Sequence, residues 1–186
     1  MSDHENGRLP HVPKPGVKIH KVVKYPEAVL MQEAAPVTEF GPQLEKLVEE
    51  MFETMYVSEG IGLAAPQIAV PKRLTVIDVS FKERPEDKLV LVNPVIIERE
   101  GRIHEEEGCL SLPDIREKVH RSEWVKVRAQ NVKGEFFEVE GEELLSRALQ
   151  HEIDHLHGVL FIDHLSRLKR DLVLRRIKKL IRNGDW

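Results

Sequence analysis

The chain has 186 residues, of which 41% are hydrophobic and 32% charged, with a formal net charge of −4. This is the composition of a globular protein with a real core, and its mild acidity argues against a dedicated nucleic-acid binder, so no DNA partner is expected. No apolar run is long enough to span a bilayer, and the single cysteine, Cys109, excludes an intrachain disulfide and any zinc site built from several cysteines.

Residues 1–16 are polar and contain Pro10, Pro13 and Pro15. They lack the apolar stretch of a secretory signal, and Asp3 and Glu5 argue against an organelle-targeting peptide. A flexible extension on a cytoplasmic protein is expected, followed by one domain over 17–186. Val17 to Val23 alternates weakly and predicts a short strand. Tyr25 to Pro42 is broken by prolines and reads as loop with one turn. Leu44, Leu47, Val48, Met51, Phe52 and Met55 recur at three and four, predicting a helix from Gln43 to Val57 with that stripe on the core.

The helix ends at Gly60-Ile61-Gly62-Leu63-Ala64-Ala65-Pro66-Gln67, too small and apolar for an ordinary solvated loop. A tight connection is the plain reading; a phosphate loop is excluded because no lysine follows the glycines and the helix precedes them. Leu74 to Val79 and Leu89 to Ile97 are rich in branched residues and read as strands around a charged turn. Glu98 to Glu107 is mostly charged and is expected to be solvated, with His104 a surface histidine. Glu107-Gly108-Cys109-Leu110-Ser111 follows, bounded by Pro113. A cysteine after glycine in a polar segment is not placed like a core cysteine, and a thiolate is a good ligand for zinc or ferrous iron. Trp124 to Gln130 and Glu135 to Glu140 predict a hairpin.

His151-Glu152-Ile153-Asp154-His155 comes next. Residues i and i+4 share one helix face, so both imidazoles can reach one metal ion, with Glu152 close enough to handle the proton of a bound water. The same spacing also occurs on plain solvated helices. The surrounding Leu144, Leu145, Ala148, Leu149, Ile153 and Leu156 favour a buried helix, predicted from Glu142 to His157 with Gly158 as its stop. Ser166 is placed to cap a last helix with an apolar stripe of Leu168, Leu172, Val173, Ile177, Leu180 and Ile181. Its other face is basic over 166–182 and includes Arg175, Arg176 and Lys179.

Two histidines need a third ligand if one position is to stay open for water. No glutamate occurs after His155, and the extended spacing that would supply a third histidine falls on Phe161. His157 points off the histidine face, and His164 stays a candidate although it lies beyond the spacing. Cys109 is the better choice, giving a predicted site of Cys109, His151 and His155.

The stretches Gly60 to Gln67, Glu107 to Ser111 and His151 to His155 resemble, in order, the three signature motifs of the peptide deformylase family, shorter bacterial-type form. The resemblance runs from about Val17 to Ser166. It implies an α+β fold with antiparallel sheets around a central metal-binding helix, and a hydrolase that removes formyl from N-formylmethionyl nascent peptides. It implies Fe2+ as the divalent metal, with Ni2+ or Zn2+ as substitutes, Glu152 as the proton carrier, and the Gln67 amide with the Leu110 N–H as oxyanion donors. Gly60, Ile61, Gly62 and Gly108 would flank a cleft for extended peptide, and Leu144 and Ala148 would form the methionine pocket. Arg116 either holds downstream backbone or only pairs with an acid. The basic last helix either packs as a solvated amphipathic helix or also contacts the ribosome. The competing readings are a metalloendopeptidase of another family, disfavoured by the missing downstream ligand, and a metal-stabilised binding module, which would need neither Glu152 nor Gln67.

Overall fold

A computed structural model of the chain describes residues 10–186. Helix α1 spans Pro42–Val57 and starts on a proline, whose missing N–H has no helical partner at that position anyway. Its stripe is buried at Leu44, Val48, Met51, Phe52 and Met55. Strands β1 (Gly62–Ala64), β2 (Leu74–Ile77), β3 (Leu89–Glu100), β6 (Trp124–Gln130) and β7 (Phe136–Glu142) form one antiparallel sheet in the order β1-β2-β3-β6-β7. Pro94 sits inside β3, where it cannot donate to the ladder, and the register shifts at that point. Strands β4 (Ile103–Cys109) and β5 (Leu112–Arg121) pair separately as a two-stranded antiparallel hairpin.

Alternation along the sheet separates two cores. Leu63, Leu74, Val76 and Val92 pack with α1. Ile77, Leu91, Val125, Val127 and Ala129 pack with Ala148, Leu149 and Ile153 of α2 (Glu143–Leu156). β2 is therefore covered on both faces and buried throughout, which is why it reads as a continuous apolar run. Helix α2 is tied to the β5–β6 link through one backbone carbonyl, that of Ser122, which accepts from Ser146 Oγ at 2.8 Å and Gln150 Nε2 at 2.9 Å. It stops at Gly158, whose φ of +69° and 2.7 Å clearance to the Met31 backbone leave no place for a side chain.

Several expectations are corrected. Val17 to Val23 forms no strand: its Val23 N–H donates to the Gln67 carbonyl at 2.8 Å, an isolated contact rather than a ladder. The run Glu98 to Glu107 is solvated over most of its length, as expected, and forms the end of β3 and most of β4, with Glu107 alone buried. Of the expected free extension, residues 1–9 lie outside the described residues, whereas His11 and Lys14 are held on α1. The largely buried Glu53 carboxylate takes donors from His11 Nε2 at 2.7 Å and the Lys14 N–H at 2.9 Å. The last helix, α3 (Arg167–Asn183), is capped as expected by Ser166 Oγ accepting from the Lys169 N–H. Only Val173 and Ile177 of its stripe are buried, while Leu168, Leu172 and Ile181 are exposed. The terminal Trp186 donates its Nε1–H to the Tyr25 carbonyl at 2.5 Å and closes that end of the molecule.

Asp78 shows how the interior treats a buried charge. Its carboxylate accepts from Tyr56 OH at 2.5 Å, Ser80 Oγ at 2.7 Å and the N–H groups of Ser80 and Lys82 at 3.0 and 2.9 Å. Burial raises its pKa, but these donors outweigh burial and hold it below the ordinary value. A depressed folded pKa contributes stability above the unfolded pKa that is lost as pH falls through the folded one. Tyr56→Phe should lower unfolding free energy by about 1–3 kcal/mol at neutral pH. The deficit should shrink below about pH 4. Urea unfolding at both pH values checks it, and a deficit independent of pH would remove the charge-assisted role.

Candidate active site

Helix α2 presents His151 and His155 on one face, their ring centroids 5.0 Å apart. Cys109, at the end of β4, comes to them from the hairpin, with its Sγ 3.4 Å from His155 Nε2. One ligand atom from each of Cys109, His151 and His155 lies within 4.8 Å of the others. A half-buried thiol and two imidazoles at this separation are a soft, nitrogen-rich donor set suited to zinc, iron or nickel. Burial and the neighbouring His151 charge hold His155 well below the usual imidazole value, which favours the neutral form that ligates a metal. For His151 burial works the same way, but hydrogen bonds that it donates to Cys109 and Glu107 outweigh burial and raise its pKa well above normal. That pull on a positive charge is what a bound cation would satisfy.

Glu152 lies beside this cluster, buried, with Oε2 lacking any hydrogen-bond partner among the described residues. Burial pushes its pKa up to about 7, in the range where a carboxylate can both take and give a proton. Gly62 explains its position. A Cβ on Gly62 would stand 2.8 Å from the Glu152 carboxyl carbon, so β1 approaches the carboxylate only because that residue has no side chain. Gln67 is likewise buried. Its Oε1 accepts from the Ala64 N–H at 2.9 Å, which turns Nε2 toward Cys109 Sγ at 3.5 Å and Ser111 Oγ at 3.2 Å.

A cleft of about 670 Å³ opens over these groups. Gly60, Ile61, Gly62 and Gln67 line one wall, and Gly108, Cys109 and Leu110 line another. Arg116, Leu144, Ala148, His151 and Glu152 complete it. His155 is the one expected site residue that does not reach the cleft surface; it sits behind, buried. Arg116 is exposed and pairs with Glu106 at 3.6 Å, so the acid partner is present, and a surface pair of this kind is weak enough to exchange. His157 is exposed and bonded to Glu33 at 2.8 Å, away from the site, and His164 bonds Asp154 at 2.7 Å.

The comparisons with known proteins agree with this geometry. The family model described as polypeptide deformylase matches residues 19–171. The chain belongs to the peptide deformylase family. It is 69% identical over 168 residues to a peptide deformylase of Acidobacterium capsulatum, covering 90% of this chain and 99% of that one. It is 48% identical to a peptide deformylase of Tolumonas auensis, over 87% of this chain and 96% of that one. Its fold superposes on the crystal structure of a peptide deformylase from Legionella pneumophila with a TM-score of 0.83 at 44% identity, covering 90% and 98% of the two chains. This is a metal-dependent family, and the Cys-His-His cluster supplies the matching donors.

One part of the deformylase site was not legible from periodicity. Glu107, expected to be solvated within its charged run, is buried, with an Oε2 that accepts from His151 Nδ1 at 3.0 Å. It also takes two bonds from the buried Arg121 guanidinium, at 2.8 and 3.0 Å. Arg121 in turn reaches Asp154 of α2 at 2.6 Å. Burial opposes the Glu107 charge, yet His151 and Arg121 overcome it and bring its pKa to about 2. The carboxylate fixes a proton on His151 Nδ1 and so commits Nε2 to the cluster. Only its position directly before Gly-Cys hinted at this role. Glu107→Gln keeps the shape and removes the charge. It should weaken metal retention by roughly 10–100-fold, read by dialysis against a chelator, with the fold preserved by circular dichroism; unchanged retention would exclude the orienting role.

Proposed function

We propose that this chain hydrolyses the formamide bond of N-terminal formylmethionine on nascent polypeptides and releases formate, with Glu152 as the group that moves the proton. The single observation that carries the reading is the buried, unpartnered Glu152 carboxylate next to the Cys109-His151-His155 donor set at the floor of an open cleft. Those three residues would hold a divalent ion, with ferrous iron proposed as the native metal and nickel or zinc as substitutes. Such an ion supplies a water of lowered pKa and polarises the formyl oxygen. Glu152 takes the proton of the attacking water and delivers it to the departing amine. The Gln67 amide, already turned toward Cys109, and the Leu110 N–H donate to the oxyanion. Gly60, Ile61, Gly62 and Gly108 let the peptide backbone lie close as an added strand, and Leu144 and Ala148 offer apolar surface to the methionine side chain. Arg116 holds the downstream backbone by exchanging Glu106 for a peptide carbonyl.

The experiment is formate release from a formylmethionyl peptide, with protein loaded anaerobically with ferrous iron or nickel. Glu152→Ala should lose almost all turnover while retaining its metal. Gln67→Leu should lose on the order of 100-fold, about 3 kcal/mol of barrier, again with metal retained. A fully active, metal-replete Glu152→Ala would overturn the proton role, and no release by folded, metal-bound parent would favour a binding module. The iron form should lose activity in air through oxidation at the thiolate-bound centre; full retention would argue against iron.

The basic face of α3 supports contact with ribosomal RNA in the cytoplasm, where new chains emerge. Among the described residues, Arg175, Arg176 and Lys179 make no ion pair, and the adjacent Leu168 and Leu172 are exposed. Co-sedimentation with ribosomes should fall steeply with salt and after charge reversal at those three positions. Sedimentation unaffected by both would end the idea.

A further inference from the structure

The β4–β5 hairpin carries a second histidine pair, far from the active site. His104 of β4 and His120 of β5 are direct partners in the register, so their side chains leave the same face of the hairpin. Both are exposed. Their rings stack with centroids 4.0 Å apart and planes 17° from parallel. Cys109 lies at the other end of β4, five residues further on, which at strand rise is roughly 16 Å from His104. The pair therefore has no part in the site described above.

We propose that His104 and His120 form a surface chelate for one divalent transition-metal ion of the kind imidazole prefers: nickel, zinc or copper(II). Two imidazole nitrogens each about 2.0–2.1 Å from a tetrahedral ion stand about 3.3 Å apart. The lone pairs lie in the ring planes, so the rings, now stacked with centroids 4.0 Å apart, swing about χ1 and χ2 until both nitrogens point at one ion, and χ2 is a broad torsion for histidine. Cross-strand register has already brought the two arms to one face of the hairpin. Desolvation of the stacked rings, with the charges of Arg102 and His104, holds His120 below its ordinary pKa, so its lone pair is available at neutral pH. The Arg102 charge also opposes a cation and makes this a weaker site than a buried three-ligand one. Water completes the coordination.

Enzyme loaded with nickel at the active site is titrated with further Ni2+, followed by calorimetry and by proton NMR of the histidine ring signals. The parent should take up one more ion per chain, with the His104 and His120 ring signals broadened first. His104→Gln and His120→Gln should each weaken that event by roughly tenfold or more, as expected when one arm of a chelate is lost. Circular dichroism and formate release should match the parent in both variants. Absence of an additional binding event in the parent would overturn the proposal. So would equal uptake and affinity in parent and variants, since the extra metal would then belong to other histidines.

Discussion

The structure depends on one buried set of charges. Glu107 of β4 and Arg121 of β5 are buried, Asp154 of α2 is half-buried beside them, and the guanidinium of Arg121 touches both carboxylates. Removing one member of such a group strands the others and costs about 3–5 kcal/mol, whereas an apolar replacement of the whole is often as stable. Its value here is positional. The same three elements carry Cys109 and the two histidines, and Glu107 bonds directly to His151. The hairpin can deliver its cysteine to the helix only in the register where these charges pair.

Around that point the two layers divide their tasks. The five-stranded sheet and α1 make an apolar body that holds β1 at a fixed distance from α2. β1 supplies Gly62, the small residue that lets the Glu152 carboxylate stay buried without a partner. Gln67, just past β1, is held by the Ala64 N–H and faces the sulfur. Gly60, Gly62 and Gly108 line the cleft beside these groups. A buried carboxylate with no partner is a cost to stability that the packing of the remainder sustains, as is usual where chemistry is done.

Helices α1 and α2 were legible because their apolar positions recur at helical spacing and their ends carry proline or glycine signals. β2 and β3 were legible as branched apolar runs. The hairpin β4–β5 was not. Its inward positions include Glu107 and Arg121, so the polar-apolar alternation that marks a half-buried strand is broken by charges that pair only with each other and with Asp154. The partial exposure of α3 was hidden for a related reason: periodicity identifies a stripe but not how much of it a neighbour covers.

The sequence by itself determined the chemistry. The i, i+4 histidines, the glutamate between them, the lone cysteine after glycine and the glutamine ending the small-residue stretch are local facts, and the absence of any downstream ligand pointed to the cysteine. Only the tertiary structure decided which carboxylate orients His151, why Gly62 must be glycine, and that His104 and His120 face one another across a hairpin. Those are relations between residues distant along the chain. They follow from strand register and from the desolvation of charges in a shared interior, neither of which is written in the spacing of any one segment.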